Sequence, residues 1–306
     1  MTCRLLAFIS LLASLFVGSA LAVEGESSAA PNETEEKPFA FPGEFTLEQA
    51  YIGGGDAARG ARDVNDYNEY YSNLGFVYGP RVQYGILRLG AQWERYSFGF
   101  PNGGQQLPNT LQSVNAVVGF DTRLFDVVLV RFEAHPGLYG TNHMDGDAFN
   151  IPFVLGGTYI YSADLQFIFG IGVNTQGRYP VIPGGGIRWQ FAPTWVLDAA
   201  LPAPRLEYQP NRSVTWFAGA NIKGNSFRTD AQFGDSHGDT GLNSAWLSYI
   251  EVRAGAGVEW KINSSISFTA EAGYVPWRQF DYFRTEARYH NESGAPYGAL
   301  MLHGAF

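Results

Sequence analysis

Opposite charges two residues apart recur along this chain, as Asp121/Arg123, Arg131/Glu133 and Glu251/Arg253. On an extended strand that spacing puts both members on one face. Two signs side by side on a face can pack a closed interior as ion pairs, or line a hydrated path with a local transverse field. Arg88, Glu94, Arg188, Lys223, Glu259 and Glu271 fall on the same polar faces of alternating segments. Away from bulk water such charges must pair, or they destabilise whatever encloses them. No ring of a single sign is evident, which argues against a highly selective ion path.

The histidines offer little chemistry. His143, His237 and His290 fall in expected loops, and His135 and His303 on expected inward faces. A lipid-hydrolase reading needs a serine served by a histidine base. Ser236-His237-Gly238-Asp239 places those residue types side by side, but a triad is assembled in space and adjacency does not define one. His143, Asp145 and Asp147 lack the glycine-bounded spacing of a calcium loop. Gly53-Gly54-Gly55-Asp56 lacks the Lys-Ser/Thr of a phosphate loop and reads as a turn. No catalytic residue, metal site or cofactor is assigned.

What would position the charges begins after an export signal. Arg4 precedes the apolar run Leu5–Val17, and Ala20 and Ala22 stand where a signal peptidase reads, so residues 1–22 are expected to be removed. With them goes Cys3, the single cysteine, which leaves the mature chain without disulfides or thiolate ligands. Residues 23–42 carry Glu24, Glu26, Glu33, Glu35 and Glu36 against Lys37 alone and are expected to form a disordered acidic tail. The net charge of −9 and the lack of a basic stripe argue against nucleic acid as a partner. Aromatic residues make up 15 % of the chain and charged residues only 16 %, against a usual charged share of ~25 %. Much apolar surface must therefore face something other than water.

From residue 43 the pattern has period two. Leu165, Phe167, Phe169, Ile171 and Val173 fall on one face, with Gln166, Gly170, Gly172 and Asn174 on the other. The stretches 214–228 and 246–260 repeat the alternation, with charges and glycines at mid-strand on the polar face. Strands of about 9–11 residues that alternate apolar-out and polar-in are expected of a barrel in lipid. Trp93, Trp189, Trp195, Trp216, Trp246, Trp260 and Trp277 lie near expected strand ends, where indoles would form an interfacial girdle.

Short connections around 79–81, 124–126, 162–164, 192–194, 209–212 and 263–264 alternate with longer polar stretches at 53–66, 99–110, 140–148, 176–183, 229–244 and 283–295. The reading is an all-β, closed antiparallel up-and-down transmembrane barrel over residues 43–306, with about fourteen strands. It needs a tight outer hairpin at Leu201–Pro204; if that hairpin and the strand Phe45–Ile52 both fail, about twelve remain. In hydrocarbon an open sheet edge is costly, so the first strand should pair with the last, Pro296–Phe306. Both termini should then lie on the periplasmic side.

The terminal Phe306 closes an amphipathic strand and resembles the recognition signal of barrels inserted by the outer-membrane assembly machinery. Arg88–Tyr96, Leu201–Tyr208 and Glu271–Pro276 resemble strands of an uncharacterised bacterial outer-membrane barrel family, classed as a domain of unknown function. That resemblance implies the barrel fold and the outer membrane, and brings no activity or site residue. The expected partners are outer-membrane lipid, the barrel assembly machinery with periplasmic chaperones, and small polar solutes. The expected role is a passive pore or structural membrane protein, with a surface adhesin or receptor as the alternative and a lipid-modifying enzyme ranked below both.

Overall fold

The computed structural model describes residues 42–306 apart from 104, 105, 283 and 286. The expected signal peptide, and the acidic tail as far as residue 41, lie outside the described residues. Fourteen antiparallel strands make one closed barrel. They are β1 Gly43–Arg59, β2 Arg62–Tyr78, β3 Gly85–Gly99 and β4 Thr110–Leu124. Then come β5, Val128–Ala134 continued by Gly137–Gly140, and β6, Phe149–Asn150 continued by Phe153–Ile160. Next are β7 Leu165–Val173, β8 Val181–Ala192, β9 Trp195–Asp198 and β10 Arg205–Tyr208. The circuit is completed by β11 Val214–Arg228, β12 Trp246–Lys261, β13 Ile266–Tyr282 and β14, Ala287–Asn291 continued by Ala295–Ala305. Pro136 and Pro152, which have no N–H to give the ladder, interrupt β5 and β6 at one level.

Closure is by β1 against β14, with Phe45 opposite Gly304, Leu47 opposite Leu302 and Ile52 opposite Tyr297. No helix among the described residues is long and apolar enough to cross a membrane. The burial pattern is the inverse of a water-soluble domain. Leu74, Phe169, Trp216 and Leu300 are about half exposed on the outer face, while Glu94, Glu133, Glu251 and Arg253 are buried inside. An apolar belt of that extent, closed with no edge, is matched to lipid.

At the end that holds Gly43 and Phe306 the turns are short and fixed by their own side chains. The Ser162 hydroxyl accepts from the Leu165 N–H, and the Asn211 and Asn263 carbonyls each accept two backbone N–H groups. At the far end the sequence reading needs two corrections. Residues 53–66, expected as a loop, continue β1 and β2 to a tight turn at Gly60-Ala61, with register shifts at Ile52/Gly55 and Gly55/Ala57. Gly60 has φ +62°, the left-handed conformation glycine adopts without penalty. Residues 283–295 likewise carry strand, with Ala287–Asn291 paired to β13 and β1. Seven strands of 15 to 17 residues thus outrun the ~9–11 that span hydrocarbon and stand above it.

The barrel is not uniform around its circumference. β9 and β10 have four residues each and turn at 199–204, the tight hairpin the strand count required. β11 rises well above them, and its last residue, Arg228, forms a parallel bridge to Gly140 of β5. The far end is therefore closed by nine strands, and β6 to β10 stop short of it.

Candidate functional site

Three layers fill the interior. The layer nearest the chain termini is charged and partly wet. Arg88 reaches from β3 to Glu44 of β1 (2.9 Å) and Glu133 of β5 (2.7 Å), and Glu133 also meets His135 at 3.1 Å. Arg131 pairs with Asp121 of the neighbouring strand at 2.6 Å. Across β8 to β10 a second group holds Arg188 against Asp198 (2.9 Å) and Glu207 (3.5 Å), with Arg205 on Glu207 at 2.6 Å. The Arg188 and Arg205 side chains keep 27 % and 32 % of their surface open. Between the groups the inward positions are glycines in register, Gly156, Gly170 and Gly184. A wall without side chains there leaves room beside the partly exposed Arg188 and Arg205, while Arg88, Glu133 and Glu207 are buried.

The middle layer is a dry ion network that crosses the barrel. Lys223 of β11 holds Glu48 of β1 at 2.6 Å, and Arg253 of β12 adds a second contact to Glu48 at 3.3 Å and one to Glu251 at 2.6 Å. Lys223 and Arg253 both stand over the Tyr71 ring, at 4.6 and 4.9 Å. Glu69 sits between Arg253 (3.9 Å) and Arg278 (3.8 Å) and accepts from the Tyr249 hydroxyl. Arg278 is fully buried with its guanidinium 4.1 Å from the Tyr67 ring centre. A cavity of about 20 Å³ beside Glu48, Lys223, Arg253 and Glu271 is the size of a single water.

The third layer is apolar. Tyr96, Phe98, Tyr249 and Phe280 pack edge-on or tilted at 4.7 to 5.2 Å between centroids, and Tyr67 and Phe227 extend the cluster. The loop after β3 drops Leu107 and Gln106 into the mouth, where Gln106 accepts from Arg59 and its carbonyl from Tyr282. These aromatic residues come from β2, β3, β11, β12 and β13, so the far mouth is filled by the wall together with that loop.

Of the charges expected inside, Arg88, Glu94, Asp121, Arg131, Glu133, Arg188, Lys223, Glu251, Arg253 and Glu271 take part in the interior contacts, and Glu259 is partly exposed near the terminus-side end of β12. Arg123 departs from the expectation: it is exposed at the end of β4, past the enclosed part of the wall. The pairing also differs. Arg131 bonds Asp121 and Glu133 bonds Arg88, both across strands, whereas Glu251/Arg253 is a true same-strand pair. Sequence reasoning missed Glu44, Glu48, Glu69, Asp198, Arg205, Glu207 and Arg278. Glu44 and Glu48 alternate with Phe45 and Leu47 and were findable from that pattern; Glu69 and Arg278 sit beside stretches that composition marks as loop.

Among the tryptophans, Trp189, Trp195, Trp216 and Trp260 are exposed on the outer face near the terminus-side end. Trp93 stands further up the wall between Leu74 and Val114, and Trp277 opposite Val252 near the far end. Trp246 is no girdle residue: it is 3 % exposed, in the apolar cluster that 229–245 covers. Phe306 lies outside, stacked on Phe45 at 6.1 Å. His143 pairs with Asp230, and Ser236 Oγ lies 2.9 Å from His237 Nδ1 in a far-end loop where that same nitrogen also contacts the Phe233 carbonyl.

No curated protein matches the chain in sequence. In structure it is similar to an outer membrane channel from Pseudomonas putida F1, at a TM-score of 0.50 and 7 % identity, over 91 % of this chain and 100 % of that one. Weaker likenesses are to the toluene transporter TodX of Pseudomonas putida (0.38, 9 % identity, 87 % and 90 % covered) and to LpxR from Salmonella typhimurium (0.40, 9 %, 85 % and 100 %). The first of these shows a shared fold, that of an outer-membrane barrel. In sequence, residues 132–293 match one family model, which spans β5 to the first part of β14 and so most of the short-strand sector and the ion network. By that match the chain belongs to the family described as Domain of unknown function (DUF6268).

Proposed function

We propose that this protein is an outer-membrane channel for small solutes that rests closed, its vestibule facing the periplasm and its outer mouth plugged by its own aromatic side chains. The observation that carries this reading is the change of character along the axis. Arg188 and Arg205 keep solvent contact near the chain termini, while Arg253, Arg278 and Tyr249, further up, keep none. A barrel serving only as a structural wall gains nothing from a hydrated, glycine-lined vestibule. An open diffusion pore would not bury two arginines across its waist, since their desolvation costs several kcal/mol each unless paired. Both termini then lie in the periplasm, because the short fixed turns share their end and outer-membrane barrels carry their short turns there.

Planar-bilayer recording tests the reading. The wild-type protein should show rare, small conductance steps. Phe98→Ala with Phe280→Ala, which removes two central rings of the plug without touching the ion network, should give more frequent and larger ones. Large ohmic steps from the wild type would remove the plug from the account. Silence from both proteins would leave a structural barrel.

A further inference from the structure

The short hairpin β9–β10 leaves a seam in the wall. Leu201 donates to Gly185 of β8 (3.4 Å), Ile222 of β11 donates to Pro202 (3.0 Å), and beyond that level no strand stands between β8 and β11. At the level of the turn two missing strands set the two edges about 14 Å apart, a gap that closes upward to the Arg228–Gly140 bridge, and the four residues Val181–Gly184 leave about 13 Å of β8 unflanked. The edges carry the marks of a built border. Pro183 occupies the position in the row of Gly185 and Ile187 whose N–H would point into the seam, and proline has none to leave unpaired. On the other side Gly224 follows Ala220 and Ile222 in the donor row with φ +145°, and a Cβ there would run into the Tyr249 carbonyl. The border is apolar, made by Val181, Pro183, Pro202 and Ile222. Below it lie the inward glycines of the vestibule.

One segment covers the seam from outside. The β7–β8 connection, 174–180, does not stand up into solvent but crosses to the outer faces of β11 and β13. A Cβ on Gly177 would lie 3.6 Å from the Ser226 hydroxyl, and Arg178 pairs with Asp281 at 2.6 Å. Asp281 also holds Arg288, at 2.9 Å, so the attachment point is braced. The strap is thus tied by one ion pair, with Arg178 36 % exposed, by a hydrogen bond from Arg284 to Gln176 (3.1 Å) and at its root by Asn150 to Asn174 (2.9 Å), whereas the mouth is blocked by an entire aromatic cluster. Of the two barriers the strap is the weaker.

We propose that the seam between β8 and β11 is a lateral portal, with the strap 174–180 as its latch, through which an apolar or amphipathic solute passes between the outer leaflet and the vestibule. The portal rests on the channel reading and deepens it, since it names a side route and the chemistry of what uses it. Its apolar border excludes ions, which need the axial route through the plug.

A lockable strap separates the two ideas. In the mature chain, which the removed leader leaves without cysteine, Gly177→Cys with Ser226→Cys should form a disulfide that ties the strap to β11. Arg178→Ala should loosen it. Uptake of the apolar dye phenylnaphthylamine by intact cells bearing each protein is compared with single-channel ion conductance of the same proteins. The oxidised pair should lose most dye uptake, regain it on reduction and keep the wild-type conductance, while Arg178→Ala should raise dye uptake several-fold. Equal dye uptake in oxidised, reduced and wild-type cells overturns the portal even where the plug variants conduct ions and the channel reading stands. Absence of both dye uptake and conductance in every variant overturns the two together. Heat-shifted gel migration of each variant, unchanged from wild type, shows that the barrel has formed.

Discussion

At the scale of single residues, the barrel concentrates its risk in Arg253. Its guanidinium meets Glu48, Glu251 and Glu69 while almost wholly buried; Lys223 also holds Glu48 and Arg278 also faces Glu69, so Glu251 is the carboxylate that depends on it most. Removing one partner of a buried ion pair costs about 3–5 kcal/mol, because a charge is left without compensation. Arg253→Met should lower detergent-state stability in denaturant titration by that order. Replacing Glu251 and Arg253 together with Leu and Met should restore much of it. A single variant as stable as wild type would show that Lys223 and Arg278 balance the cluster without Arg253. The same scale shows where sequence reading stopped. Alternation tells which face Arg131 and Glu133 occupy, and it placed both inside. It cannot tell that Arg131 turns to Asp121 and Glu133 to Arg88, because partners across strands depend on the stagger between neighbours.

Elements were legible where one face meets lipid. The stretch Leu165–Val173 alternates cleanly and is β7 as read, the Leu201–Pro204 turn is where strand parity demanded it, and the pairing of Phe45–Ile52 with the last strand holds residue for residue. Above the membrane both faces of a strand meet water or protein, alternation fades, and glycine and aspartate then read as turn. That is why 53–66 reads as a loop in sequence although β1 and β2 remain paired to Arg59 and Arg62. Trp246 misled for the same reason: it has the parity of an outward residue but lies above the lipid, under a loop. Hydrogen exchange should find the amides of Ala57, Ala58, Asp63 and Val64 protected, in contrast to those of 235–241. Fast exchange at both sites would return the segment to a loop.

On the scale of the molecule, the inside-out distribution of side chains predicts behaviour in detergent. A closed ring of fourteen strands has no edge from which to unzip, so unboiled samples should migrate faster than boiled ones in electrophoresis. Equal mobility would count against closure. The ring meets itself between Glu44 and Ala305, the first and last parts of the described wall. Every other neighbouring pair of strands is joined by a nearby turn and can form as soon as its second member is made. The closing pair cannot: it has the longest sequence separation in the fold, and nothing repays its loop entropy until all the intervening strands are in place. A chain truncated before β14 is therefore an open sheet whose two edges leave backbone N–H and C=O groups without a partner. The slow step in making this protein is a rendezvous of its two ends, and β14 decides when the molecule becomes a container.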